Sequence, residues 1–135
     1  MDSFKTPGFI SSLIQIINNN IHLCCDNTVD HLITSALSQM KNMFRKLWRI
    51  KNPNYISIED RTNFIQSVIP LNVAFFRVQN SQQSYRYMKL MKDIVKEAAS
   101  DVIFIAPELL EVIKQYERSL EVFPIILNIV SGISH

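Results

Sequence analysis

The chain has 135 residues, 47% of them hydrophobic and 19% charged, with a formal net charge of +2. This length and composition predict one domain with its own core, and they exclude both a disordered chain and a membrane-embedded one. Its only glycines, Gly8 and Gly132, are too few for turn-rich β architecture or a phosphate-cradling glycine loop.

In chain order, Pro7 and Gly8 precede a stripe of Phe9, Leu13, Ile16, Ile17 and Ile21 at helical spacing. Asn18, Asn19 and Asn20 weaken its end, because short amides compete with the helical backbone. Asp26 or Asn27 caps a second helix of about 25 residues, with Val29, Ile33, Ala36, Met40, Met43, Phe44 and Leu47 facing inward and Pro53 beyond its end. Ser57 followed by Asp60 forms a capping box for a third helix, expected to stop at Pro70. A short apolar helix or turn then starts at Pro70 and is interrupted at Asn80 and Ser81. Phe75 and Phe76 are adjacent, so a helix cannot point both inward.

Ser81 or Ser84 opens the next helix, which turns Tyr87, Met88, Met91, Ile94, Val95 and Ala98 inward. "DVIFIAP", Asp101 to Pro107, is β-prone but has no partner strand, and is read as a connection. Pro107 fits the first turn of a helix running to about Ser119, and Pro124 introduces a last apolar helix over 125–133. The fold class is therefore all-α, with about 6–7 helices in a compact bundle or a short stack of helix pairs. Residues 1–135 form a single all-helical domain, or a fragment of a longer helical solenoid.

Cys24 and Cys25 are neighbours, a spacing that fits neither an ordinary disulfide nor a zinc site. His22, Asp26 and His31 lie close by, but the segment reads as a helix end with small thiols, and no metal or cofactor is assigned. No stretch is long and apolar enough to span a bilayer, and the expected setting is intracellular, cytoplasmic or nuclear. No nucleophile–base signature is present, and the expected function is non-catalytic.

Charge is unevenly distributed. Residues 31–96 hold eleven basic residues against Glu59, Asp60 and Asp93, whereas residues 97–135 hold six acids against Lys114 and Arg118. "MKNMFRKLWRIK", Met40 to Lys51, concentrates five of the basic residues. Helical phasing puts Met40, Met43, Phe44 and Leu47 on the core side, Lys41, Arg45 and Arg49 on an outer flank, and Trp48 on the border.

Two segments read alike: "SVIPLNVAFFRVQNSQQSYRYMKLMKDIV" from Ser67 and "FIAPELLEVIKQYERSLEVFPIILNIV" from Phe104. Each has an apolar residue, a proline, an apolar helix, a polar turn and an amphipathic helix. Pro70 and Pro107 stand 37 residues apart, within the range of helical-pair repeats. Residues 67–133 thus resemble HEAT-type α-solenoid repeats, and "APELLEVIKQYERS" is similar to the first helix of karyopherin-like pairs. The resemblance implies protein recognition rather than chemistry.

The function expected from these features is a protein–protein interaction domain, an adaptor or assembly subunit. Its partner-binding residues are Lys41, Arg45, Trp48, Arg49, Phe76, Arg86, Lys89 and Lys92. The partner is another protein of acidic or mixed surface charge, or a second copy of the chain, and not a membrane. One alternative is nucleic-acid binding through the same face. Another is a Bcl-2-like helical regulator of cell death or host signalling, which length and helix count permit although no stretch matches the "NWGR" groove motif of cellular members.

Overall fold

The computed structural model describes residues 8–50, 56–99 and 106–116; the side chains of 47–50, 99 and 106–109 lie outside that description. Five α-helices occur among the described residues: α1 Phe9–Asn20, α2 Asn27–Ile50, α3 Ile58–Phe76, α4 Ser81–Ala99 and α5 Ala106–Lys114. A 3₁₀ turn, Ile21–Leu23, follows α1. The described residues contain no strand, so the all-α class stands with fewer helices than the 6–7 expected. "DVIFI", 101–105, and the apolar segment 125–133 lie outside the described residues.

Gly8 precedes α1 with φ 83°, a left-handed conformation that suits glycine, and it has no side chain with which to cap the helix. The cap comes instead from α3. Asp60 Oδ2 accepts from the Ile10 amide at 3.2 Å, and Oδ1 accepts from the Ser11 amide at 3.2 Å and the Ser11 hydroxyl at 2.6 Å. The capping box begins as its sequence predicts, with the Asp60 amide donating to Ser57 Oγ at 3.1 Å. Asp60 therefore sits in the first turn of its own helix and against the start of another, where both helix dipoles favour its negative charge.

The buried face of α1 is Ile10, Leu13, Ile14 and Ile17, one step round from the predicted stripe; Phe9, Ile16 and Ile21 are only partly buried. The Asp60 contacts hold the Ile10 turn against the start of α3, in keeping with this phase. On α2 the core residues are Ile33, Ala36, Leu37, Met40 and Phe44, with Val29 and Met43 partly buried. Asp26 Oδ1 accepts from the Thr28 amide at 2.8 Å and caps this helix.

Helix α3 does not stop at Pro70 but continues to Phe76. Proline at this position removes the bond to the Gln66 carbonyl. Both Gln66 and Pro70 are exposed, so the lost bond lies on the solvent side of the helix, which persists on its buried face. The Pro70 reading is thus corrected: Pro70 lies inside a helix, whereas Pro107 lies in the first turn of α5. Helix α5 ends at Lys114, ahead of the expected Ser119, as the Gln115 and Tyr116 amides close a turn on the Val112 and Ile113 carbonyls. On α4, Tyr87, Met91, Ile94, Val95 and Ala98 are buried as expected, and Met88 is partly so.

The helices pack side by side as α1 with α2, α3 with α4, α1 with α3, α2 with α4, and α3 with α5. Short turns make α1/α2 and α3/α4 antiparallel hairpins. The starts of α1 and α3 meet at Asp60, and the starts of α2 and α4 meet at Asp30 and Arg86. So α1 and α3 run in the same direction, as do α2 and α4. One layer holds α1, α3 and α5; the other holds α2 and α4. The core lies between them. Phe44 and Phe64 cross it with ring centroids 4.7 Å apart, and Phe75 and Tyr87 join α3 to α4 at 5.3 Å.

Candidate functional site

The α2–α4 layer carries seven of the eight residues expected to bind a partner: Lys41, Arg45, Trp48, Arg49, Arg86, Lys89 and Lys92. Arg45, Arg86 and Lys89 are exposed, and Lys41 and Lys92 are half-buried. Phe76 is 48% exposed but lies at the end of α3, while Phe75 beside it is buried, so the neighbouring rings divide as their adjacency requires. Trp48 and Arg49 fall in the last turns of α2, and their side chains lie outside the described residues.

The two helices carry eight cations and three acids, Asp30, Asp93 and Glu97, so the layer is basic with acids set into it. Arg45 pairs with Glu97 at 3.0 Å, Arg86 with Asp30 at 2.6 Å, and Lys89 with Asp93 at 3.9 Å. These pairs are mostly exposed and each adds little to stability, about 0–1 kcal/mol. Their effect on recognition is to engage three of the eight cations with acids of the same layer. The residues do not share one flank either. Arg86 and Glu97 lie roughly 20° apart around α4, towards α2, and Lys92 lies roughly 120° further round.

Asp30 organises the meeting of α2 and α4. Its Oδ1 accepts from Tyr87 Oη at 2.5 Å, Arg86 at 2.6 Å and Gln83 Nε2 at 3.0 Å. Burial opposes ionisation of Asp30, but the bonds from Tyr87, Gln83 and Arg86, with the Arg86 charge, outweigh it and hold the carboxyl below its ordinary range. Burial, then the bond to Asp30 and its charge, push the Tyr87 phenol well above its ordinary value, so it remains a donor. The Arg86 guanidinium also lies 5.6 Å from the centre of the Tyr87 ring. Sequence reasoning missed this cluster. Its signal was the spacing of Gln83, Arg86 and Tyr87 at i, i+3 and i+4, which places three donors on one flank of a helix.

Gln83 links the cluster to the end of the molecule where both hairpins turn. Its Nε2 also donates to the Cys24 carbonyl at 2.6 Å, and Cys24 Sγ donates to its Oε1 at 3.7 Å. Burial, then the neighbouring Cys25, push the Cys24 thiol up, which keeps it protonated as that donor. Between the two turns lies a cleft of about 350 Å³ with Ile21, Ala74 and Val78 in its wall. His22, Cys25 and Arg77 also line it, with amides from Gln79, Asn80 and Gln83. Cys24 is buried and Cys25 exposed. Among the described residues, no group of three or more histidines, cysteines and acids is placed to hold a metal ion. No described helix is long and apolar enough to cross a membrane.

The chain was compared with protein-family models, curated proteins and solved structures, and none of them matches it.

Proposed function

We propose that this chain is a non-catalytic helical interaction domain, an adaptor or assembly subunit that binds another protein through the α2–α4 layer. The observation that supports this reading most is the arrangement of the helices. Two hairpins lie side by side with like helices running the same way, and α5 packs on α3 where the first helix of a third pair would. This arrangement supports the stacked helix pairs that the HEAT-like resemblance implies, and such stacks bind partners on the concave surface that one layer of their helices forms.

The ion pairs refine the partner's chemistry. With Asp30, Asp93 and Glu97 set among eight cations, the layer suits a partner of acidic or mixed charge, met around Lys41 and Lys92. The same acids count against a nucleic-acid backbone, which calls for an uninterrupted run of positive charge. The test is charge reversal at Lys41 and Lys92, neither of which forms an ion pair with a described residue. Partner capture and helix content are read in parallel. Retention on heparin that falls steeply with salt would favour nucleic acid instead.

A further inference from the structure

Among the described residues, the helices that pack on the first hairpin are α3 and α4. They leave its outer flank, the side of α1 and α2 turned away from them, without a described neighbour. Around α2, Leu32 and Gln39 lie roughly 120–140° from Arg45, which reaches Glu97 of α4. Phe9, Ile16 and Met43 are partly buried, and Leu32 is 42% exposed. The flank is almost free of charge. Helix α1, FISSLIQIINNN, holds no ionisable side chain, and Leu32, Gln39 and Lys46 follow one another at seven-residue intervals along α2 with Lys46 as the single charge. The α2–α4 layer, by contrast, carries eight cations and three acids. An end face of stacked helix pairs needs a polar surface if it is left to water, but here aliphatic side chains stand among neutral amides and hydroxyls. Towards the start of α1 the flank sinks into a hollow of about 230 Å³, lined by Phe9, Gln39, Asn42, Met43 and Lys46. That is smaller than a ligand pocket and suits a single protruding side chain.

We propose that this flank is an interface for a second copy of the chain, in which Leu32 of each copy enters the hollow of the other. A two-fold axis crossing α2 at Gln39 sets the two α2 helices antiparallel. Gln39 stands midway between Leu32 and Lys46, so this axis carries Leu32 of one copy to the level of Lys46, at the hollow of the other. Charge selects the occupant. In a two-fold contact the residues near the axis meet their own copies, so a charged face repels itself and a neutral one does not. The Gln39 amide is both donor and acceptor and can pair with itself. The two Lys46 are kept about 21 Å apart along the helices, beyond effective repulsion at ordinary salt. An acidic partner would find only Lys46 to match. The face measures about 18 Å along α1 and about 20 Å across the two helices, at the low end for protein association, so the dimer is weak and reversible. The proposal does not depend on the α2–α4 reading, because Lys41 lies roughly 180° round α2 from Leu32 and Lys92 is on α4.

Sedimentation equilibrium of the full chain, followed up to about 1 mM, measures the association. Wild type is expected to pass reversibly from monomer to dimer. Leu32→Ala, at an exposed position, should weaken the dimer about tenfold or more with helix content unchanged, since the loss is counted once for each copy. Gln39 gives a second test that adds charge without touching the core, being exposed and bonded only weakly to Ser35 at 3.4 Å. At low ionic strength, Gln39→Lys and Gln39→Glu should each weaken self-association, and an equimolar mixture of the two should associate about tenfold more tightly than either alone. The Lys41→Glu, Lys92→Glu variant should dimerise like wild type, which separates this interface from the α2–α4 surface. A chain that stays monomeric throughout, a dimer indifferent to Leu32→Ala, or a mixture that associates no better than its components would each overturn the proposal. So would loss of the dimer on reversal of Lys41 and Lys92 with helix content intact, because the copies would then meet through the α2–α4 layer.

Discussion

At the scale of single residues, two acids hold the helices in register. Asp60 is 3% exposed and closes the start of α1 from a position 49 and 50 residues away. Asp60→Ala is expected to destabilise the fold by about 1–3 kcal/mol through lost caps and stranded amides. Asp60→Asn, which keeps one of the two acceptor oxygens, should recover part of the loss, and urea denaturation midpoints give both values. Asp30 works differently, as an acceptor for three donors of α4. Tyr87→Phe removes one of them and should cost about 1–3 kcal/mol at neutral pH, since the acceptor is a carboxylate. The Asp30 carboxyl is held low in the fold, so its contribution is present above the ordinary carboxylate value and lost as pH falls below it. Tyr87 is held high, so its contribution is present below the ordinary phenol value of about 10 and lost as pH rises beyond it. The stability gap between wild type and Tyr87→Phe should therefore be widest between these limits and close on both sides. The Ser57–Asp60 capping box was readable in the sequence because it is local. The reach of Asp60 to α1 was not, because no local pattern records which distant helix start lacks a cap.

At the scale of elements, the apolar periodicities located the helices well but set their ends poorly. The α2 and α4 faces were legible since their stripes are long and clean, whereas α1 is short and carries Phe9, Ile10, Leu13, Ile14, Ile16 and Ile17. Several phases fit such a helix, and its tertiary contacts with α2, α3 and Asp60 choose among them. The stop expected at Pro70 failed for a related reason. A proline ends a helix when its lost bond cannot be tolerated, and here that bond lies between two exposed residues. Pro70→Ala should therefore stabilise the chain, by about 1–3 kcal/mol, as the Gln66 carbonyl regains its donor. A raised thermal midpoint in calorimetry is the expected result. Helix α3 can carry such an imperfection because eight of its residues are buried and it packs against α1, α4 and α5.

At the scale of the whole molecule, the all-helical class followed from composition and periodicity, but the charge of the candidate face did not. In the sequence, Asp30, Asp93 and Glu97 are scattered among many polar positions. Packing α2 beside α4 in the same direction brings Asp30 onto Arg86 and Glu97 onto Arg45, whereas Asp93 pairs with Lys89 one turn back on α4 itself, and acids are set into a basic surface. The central claim is that this layer binds a protein partner. Its most direct test is affinity capture with wild type and with the Lys41→Glu, Lys92→Glu double variant, read by quantitative mass spectrometry at matched helix content. A partner is expected to be held by wild type and reduced about tenfold or more with the variant. Equal recovery of the same partner by both proteins would contradict it.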